Sequence, residues 1–160
     1  MEIMEVPKND DGINYIWNTL AVDYIQRQLD DDDRTPAGMF NRIDRWLMGT
    51  DYYYCPVTDG KPMGLCYATY FSDFQIEGHI SIFRQFWGTP TLEAAKLSIE
   101  RVKADADYEQ VILLLPETNR RIHGFADRLG YKKTGTIRGI YTRNGVDVPC
   151  SLMEALEWVH

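Results

Sequence analysis

Tyr108-Glu-Gln-Val-Ile-Leu-Leu-Leu-Pro-Glu-Thr-Asn119-Arg-Arg-Ile-His-Gly-Phe-Ala-Asp-Arg-Leu-Gly-Tyr131 is the stretch that decides the fold of this 160-residue chain. Residues 111–115 are an unbroken apolar run, the pattern of a central strand covered on both faces. Asn119 to Leu129 then reads as a helix in which Ile122, Phe125 and Leu129 share one face. Gly130 suits a left-handed C-terminal cap before the chain turns into another strand.

Upstream, a strand is expected from about Gln75 to Phe83, and Gly88-Thr89-Pro90-Thr91 opens a helix with Leu92, Ala95, Leu97, Ile99 and Val102 at its apolar positions. Residues 51–58 and 63–71 are rich in strand formers and flank Asp59-Gly60, a hairpin signal. Nearer the N-terminus, Ile3–Val6 forms a short strand, and Asn9-Asp10-Asp11 caps a helix expected to run to about Gln28. The acids Asp30 to Asp33 mark a loop, followed by a helix from Pro36 to Met48. Downstream, residues 132–142 and 146–153 flank Asn144-Gly145, the strongest short hairpin signal in the chain. This order predicts a single α/β (α+β) domain over 1–160, with a mixed, mostly antiparallel central sheet of about seven strands flanked by about four helices.

Composition narrows the function classes. An apolar fraction of 44% with 26% charged residues, and no apolar run of membrane-spanning length, predicts a soluble protein without a membrane partner. A net charge of −7 and scattered basic residues argue against nucleic acid, while leaving open both a cationic amine substrate and simple solubility. The acidic N-terminus lacks secretory character, so a cytoplasmic location is expected. Cys55, Cys66 and Cys150 have neither disulfide nor zinc spacing and are expected to be inert thiols; no metal site is expected.

The element order resembles the GNAT fold of the acetyl-coenzyme A-dependent N-acyltransferases, and Asn119, Ile122, Phe125, Leu129, Gly130 and Tyr131 keep the register of that family's late helix motif. A looser resemblance is to short GNAT-like proteins of tailed bacteriophages. Gln85-Phe-Trp-Gly88-Thr-Pro90 sits where the family carries its pyrophosphate loop, with Pro90 in place of the last small residue. The resemblance implies acetyl-coenzyme A as co-substrate, held by Ile82, Phe83, Arg84, Gln85, Phe86, Trp87, Gly88, Thr89 and Asn119, and a primary amine on a small molecule or protein as acceptor. Glu77 and His79, two apart on one strand, are the candidate bases. The family's usual acid, a tyrosine, is matched by Ala126, which leaves His123 and Tyr131 as candidate substitutes. The alternative is a catalytically silent GNAT-fold protein that binds a protein partner, such as a virion or assembly component.

Overall fold

The computed structural model describes residues 1–155, so the last five residues of the domain expected over 1–160 lie outside the described residues. Along the chain run β1 (Glu2–Glu5), α1 (Asp10–Leu20), α2 (Asp23–Gln26), α3 (Pro36–Leu47), β2 (Tyr52–Thr58), β3 (Lys61–Pro62), β4 (Gly64–Tyr70), β5 (Gln75–Ile82), α4 (Thr89–Asp105), β6 (Gln110–Pro116), α5 (Arg120–Arg128), β7 (Tyr131–Ile137), β8 (Thr142–Arg143), β9 (Val146–Asp147) and β10 (Cys150–Ala155). The main sheet has the order β1-β2-β4-β5-β6-β10-β7, with β3 added to β2, and β8 and β9 form a hairpin of their own. Among the described residues only β5 and β6 pair in parallel. The mixed, mostly antiparallel α/β sheet is the one expected from the sequence.

Local chemistry explains most of the boundaries. Asn9 Oδ1 accepts from the Gly12 N–H at 3.0 Å to cap α1, and Thr35 Oγ1 does the same for α3 from the Gly38 N–H at 3.0 Å. The expected helix to Gln28 is instead divided, giving five helices among the described residues in place of about four. Ile25 is nine residues after Ile16, about half a helical turn out of phase, so an unbroken helix would turn it away from the sheet. The extended Val22 resets the phase, Gln26 Nε2 donates to the Leu20 carbonyl at 2.8 Å, and Ile25 and Leu29 join the core that holds Ile16 and Leu20.

The strands expected over 132–142 and 146–153 are also shorter. Asn144 (φ 55°) and Gly145 (φ 73°) make the expected tight turn, but residues 138–149 leave the main sheet. The reason is a competing set of partners. Asp31 N–H donates to the Thr142 carbonyl at 3.1 Å, and Tyr141 Oη donates to the Gln28 carbonyl at 2.8 Å. Asp30 Oδ1 accepts from Thr142 Oγ1 at 3.0 Å, and Asp31 Oδ2 accepts from the Gly145 N–H at 3.0 Å, a bond that holds the Asp31 carboxyl below its usual range.

The core lies on both faces of the sheet, as the period-two alternation of the strands requires. Tyr53, Leu65 and Tyr67 pack under α1–α3 with Ile16, Leu20 and Trp46. Tyr54, Ala68 and Ile76 pack against Val102 of α4, and Leu115 and Met153 against Ala126 of α5. Asp51 ties the first layer to the sheet: it is 1% exposed, its Oδ2 accepts from Arg45 Nε at 3.0 Å, and its Oδ1 accepts from the Tyr70 N–H at 3.2 Å. Asp51→Ala removes both acceptors. Arg45, whose side chain is 44% exposed, can rehydrate, so the expected loss is about 1–3 kcal/mol in a urea titration.

Candidate active site

β5 pairs with β4 along its length, from Gly64↔Ile82 to Tyr70↔Ile76, but with β6 only where Gln75–Glu77 faces Gln110–Ile112. From Leu113 onward β6 pairs with β10 instead. Two parallel neighbours thus diverge just past Glu77, and a cavity of about 640 Å³ passes through the fork to both faces of the sheet. At the fork, a Cβ on Gly78 would stand 3.2 Å from Leu113 Cδ2 and from Val111 Cγ1, so only glycine lets these side chains close up on β5 unperturbed.

On the face covered by α1–α3, strand register assembles a polar wall. Tyr53, Tyr67 and His79 are successive cross-strand partners and stack as rings, with centroids 4.9 Å and 4.6 Å apart. The buried Arg42 guanidinium lies 5.4 Å from the Tyr67 ring and pairs with Asp33. Glu77 and His79 both line the cavity, with about a fifth of each side chain exposed (20% and 22%). His79 Nε2 is 2.8 Å from Thr69 Oγ1 and 3.6 Å from Glu77 Oε1.

Burial pushes the Glu77 carboxyl up to about 8 in spite of the opposing pull of Arg42. Burial, reinforced by Arg42 and Arg45, pushes the His79 imidazole down to about 3. Between those values Glu77 holds its proton and His79 is neutral, and Glu77 gives up its proton near pH 8. The arrangement is a proton acceptor whose working range begins at mildly alkaline pH.

The acid run borders the same chamber. Asp30, Asp32 and Asp33 line the cavity, and Asp30 and Asp31 anchor the β8–β9 hairpin, which brings Tyr141 and Arg143 into the cavity wall. Arg143 Nε is buried with no hydrogen-bond partner among the described residues. None of this cover is evident from local sequence, because the contacting segments lie 112 residues apart.

On the α4–α5 face the cavity wall is apolar apart from Cys66, Ser98, Thr118 and Asn119. Ser98, 4% exposed, has a hydroxyl beside the Cys66 thiol yet without a hydrogen bond of proper geometry. A lone serine inside a helix gives no sequence signal, and the reading above did not select it. Asn119 Oδ1 caps α5, accepting from the Ile122 N–H at 3.4 Å, and its side chain borders the cavity.

Residues 82–89 do not line the cavity; Ile82 ends β5, residues 83–88 form the loop to α4, and Thr89 opens that helix. Much of that loop is internally bonded. Phe83 N–H donates to the Met63 carbonyl at 2.8 Å, Arg84 N–H to Tyr24 Oη at 3.1 Å, and the Trp87 indole N–H to the Ile82 carbonyl at 2.9 Å. The Arg84 guanidinium sits over the Tyr24 ring at 4.4 Å. Gly88 (φ 106°, ψ −135°) is the N-cap of α4 and offers no side-chain acceptor, so the first-turn amides of Thr89 and Thr91 keep an open face. Gln85 belongs to a 3-10 turn with Arg84 and Phe86.

The remaining two candidates stand apart from the cavity. Tyr131 is 2% exposed, its hydroxyl donates to the Val111 carbonyl at 3.2 Å, and burial pushes it well above its ordinary range. His123 is on α5 with its Nε2 buried and unpartnered, and it is not among the cavity-lining residues.

No family profile matches the sequence, and no curated protein is significantly similar to it. Solved structures are similar in shape. A chimeric spermidine N-acetyltransferase SpeG from Vibrio cholerae and hSSAT superposes with a TM-score of 0.75 at 9% identity, over 98% of this chain and 96% of the other. The ribosomal-protein-S5-alanine acetyltransferase of Vibrio fischeri gives 0.68 at 14% identity, over 99% and 94%. YncA of Salmonella typhimurium, whose structure holds its cofactor acetyl-coenzyme A, gives 0.63 at 15% identity, over 96% and 91%. With the forked β5–β6 pair and the order β1-β2-β4-β5-β6-β10-β7 on the same scaffold, the chain has the fold of the GNAT acetyltransferases.

Proposed function

We propose that this protein is an N-acyltransferase that moves an acyl group from acyl-coenzyme A to a primary amine. The observation that carries the reading is the fork between β5 and β6, which opens a through-cavity with Glu77 and His79 on one side and an apolar chamber on the other. YncA and SpeG supply the analogy for coenzyme and amine.

The residues fit a coenzyme on the α4–α5 side. The positive end of α4 and its uncapped first turn suit a phosphate, the unpaired edge of β5 beyond Gly78 suits an amide-bearing chain, and Ser98 Oγ awaits a partner. When bound, the thioester supplies an activated acyl group and a leaving thiolate. An ordinary thiol has a pKa of about 8.5, so the buried Ala126 removes a proton donor without making the step prohibitive. On the opposite face, Glu77 accepts, directly or through water, the proton that the acceptor's ammonium loses before the free amine attacks, and the Asp32 carboxylate favours a cationic acceptor.

Calorimetric titration with acetyl-coenzyme A and free coenzyme A tests the reading, with micromolar to sub-millimolar binding expected. Absence of heat at millimolar ligand sinks it. Ala126 and the internally bonded loop favour a second reading, a silent GNAT-fold subunit that holds a protein partner. That reading requires no coenzyme binding, so the same titration separates the two.

A further inference from the structure

The part of the cavity under α1–α3 holds more charge than it pairs. Arg27, Arg42, Arg45 and Arg143 line it together with Asp30, Asp32 and Asp33. Two of these cations are matched inside the protein, Arg42 by Asp33 and Arg45 by the buried Asp51. Arg143 has no such match. It is half-buried, its Nη2 donates to the Tyr141 hydroxyl and, at 3.5 Å, to the Leu29 carbonyl, and its Nε and Nη1 have no partner among the described residues. Asp30 is half-buried as well, and its carboxylate accepts only from neutral donors, the amide and hydroxyl of Thr142 and the Asp32 amide. The Asp30–Thr142 contact thus brings two opposite charges to one cavity, yet among the described residues no ion pair joins them. Charges drawn out of water are ordinarily paired. A ligand that carries one charge of each sign satisfies both groups, whereas a polycation suits Asp30 and Asp32 but meets Arg143 and Arg27 as like charges.

We infer that the acceptor is an amine that also bears a carboxylate, as an amino acid does, with the Arg143 guanidinium binding the carboxylate and Asp30 and Asp32 drawing the ammonium into the cavity beside Glu77. The inference rests on the acyltransferase reading and narrows its acceptor class. A planar guanidinium with donors to spare suits a carboxylate, which can take two N–H groups together. Arg42 cannot serve in its place, because Asp33 already occupies it. The bond changes are those of any such transfer. One proton of the ammonium passes to Glu77, the free amine nitrogen bonds to the acyl carbon as the thioester C–S bond breaks, and a second proton leaves with the thiol.

The test compares amino acids with their decarboxylated counterparts on the intact protein saturated with coenzyme A: alanine with ethylamine, phenylalanine with phenylethylamine, and lysine with cadaverine. In calorimetric titrations at least one amino acid should bind about 10- to 100-fold more tightly than its counterpart. The kcat/KM for acyl transfer from acetyl-coenzyme A should show the same preference, carried mainly by KM. Arg143→Gln should reduce the ratio to about threefold or less, and Arg143→Lys should restore part of it, with coenzyme A binding by each variant reporting an intact fold. Bare amines that bind as well as the amino acids, no heat from any of the six, or a preference that survives Arg143→Gln overturns the inference and, with coenzyme A bound, leaves the acyltransferase reading standing. Failure of coenzyme A itself to bind removes both.

Discussion

Glu77→Gln should lower kcat/KM for acyl transfer by roughly 100- to 1,000-fold, the usual effect of removing a positioned general base. In the unaltered protein the rate should climb with pH to a limb near 8, where Glu77 gives up its proton. That limb should vanish in the variant. A pH profile that keeps its limb after the substitution would assign the proton elsewhere.

The same substitution should raise stability in alkali, and the sign follows from the shifts. Folded Glu77 keeps its proton up to about 8, whereas an unfolded glutamate loses it near 4.5, so the native state binds the extra proton between these values. That contribution to stability is complete below about 4.5 and is lost as pH rises through 8. His79 works in the other direction: its folded value near 3 lies below 6.5, so its contribution is complete above 6.5 and is lost as pH falls towards 3. The two slopes cancel between about 4.5 and 6.5, leaving a net decline from about 6.5 to 8 at roughly 1.4 kcal/mol per pH unit. Glu77→Gln removes the decline. Urea titrations of both proteins at pH 6 and pH 8.5 check it, and equal pH dependence in the two would show that Glu77 is not the group responsible.

Gly88→Glu should weaken coenzyme binding by more than 100-fold. Gly88 holds φ 106° with ψ −135°, a conformation open almost only to glycine, and a residue with a Cβ there strains the turn by about 1–3 kcal/mol. The space around its hydrogen is open, with nothing among the described residues within 4 Å of a built Cβ, so the added side chain starts without a clash. It projects instead at the positive end of α4, where it competes with a phosphate. Melting temperature is expected to fall by only a few degrees while the calorimetric signal for coenzyme A disappears. Undiminished binding would remove this loop from the site.

The features legible in the sequence are those with local causes. The run at 111–115, the Asn119 cap, Gly130 (φ 88°) and the turns at Asp59-Gly60 and Asn144-Gly145 appear where they were expected, because strand burial, capping and left-handed turns depend on residues within a few positions of one another. The α1–α2 break escaped such reading: the apolar residues from Ile13 to Ile25 look helical throughout, and only the direction of the sheet beneath them requires Ile25 to be brought back into phase. The departure of residues 138–149 from the sheet escaped it for a similar reason, since its partners at 28–31 are distant in the chain. In the site, the pairing of Glu77 with His79 on one face followed from their spacing. Their opposed proton affinities did not, because these arise from burial and from Arg42, which another element supplies.

The sequence by itself determined the elements, their order and therefore the scaffold, including the alanine that stands where the family carries its usual acid, because periodicity, caps and turns act over a few residues. Only the tertiary structure decided where β5 and β6 part, which side chains face the resulting cavity, that the acid run holds a hairpin over it, and that Ser98 is left without a partner. Those are properties of the space between elements, set by how strands diverge and what distant segments bury, and no local pattern encodes them.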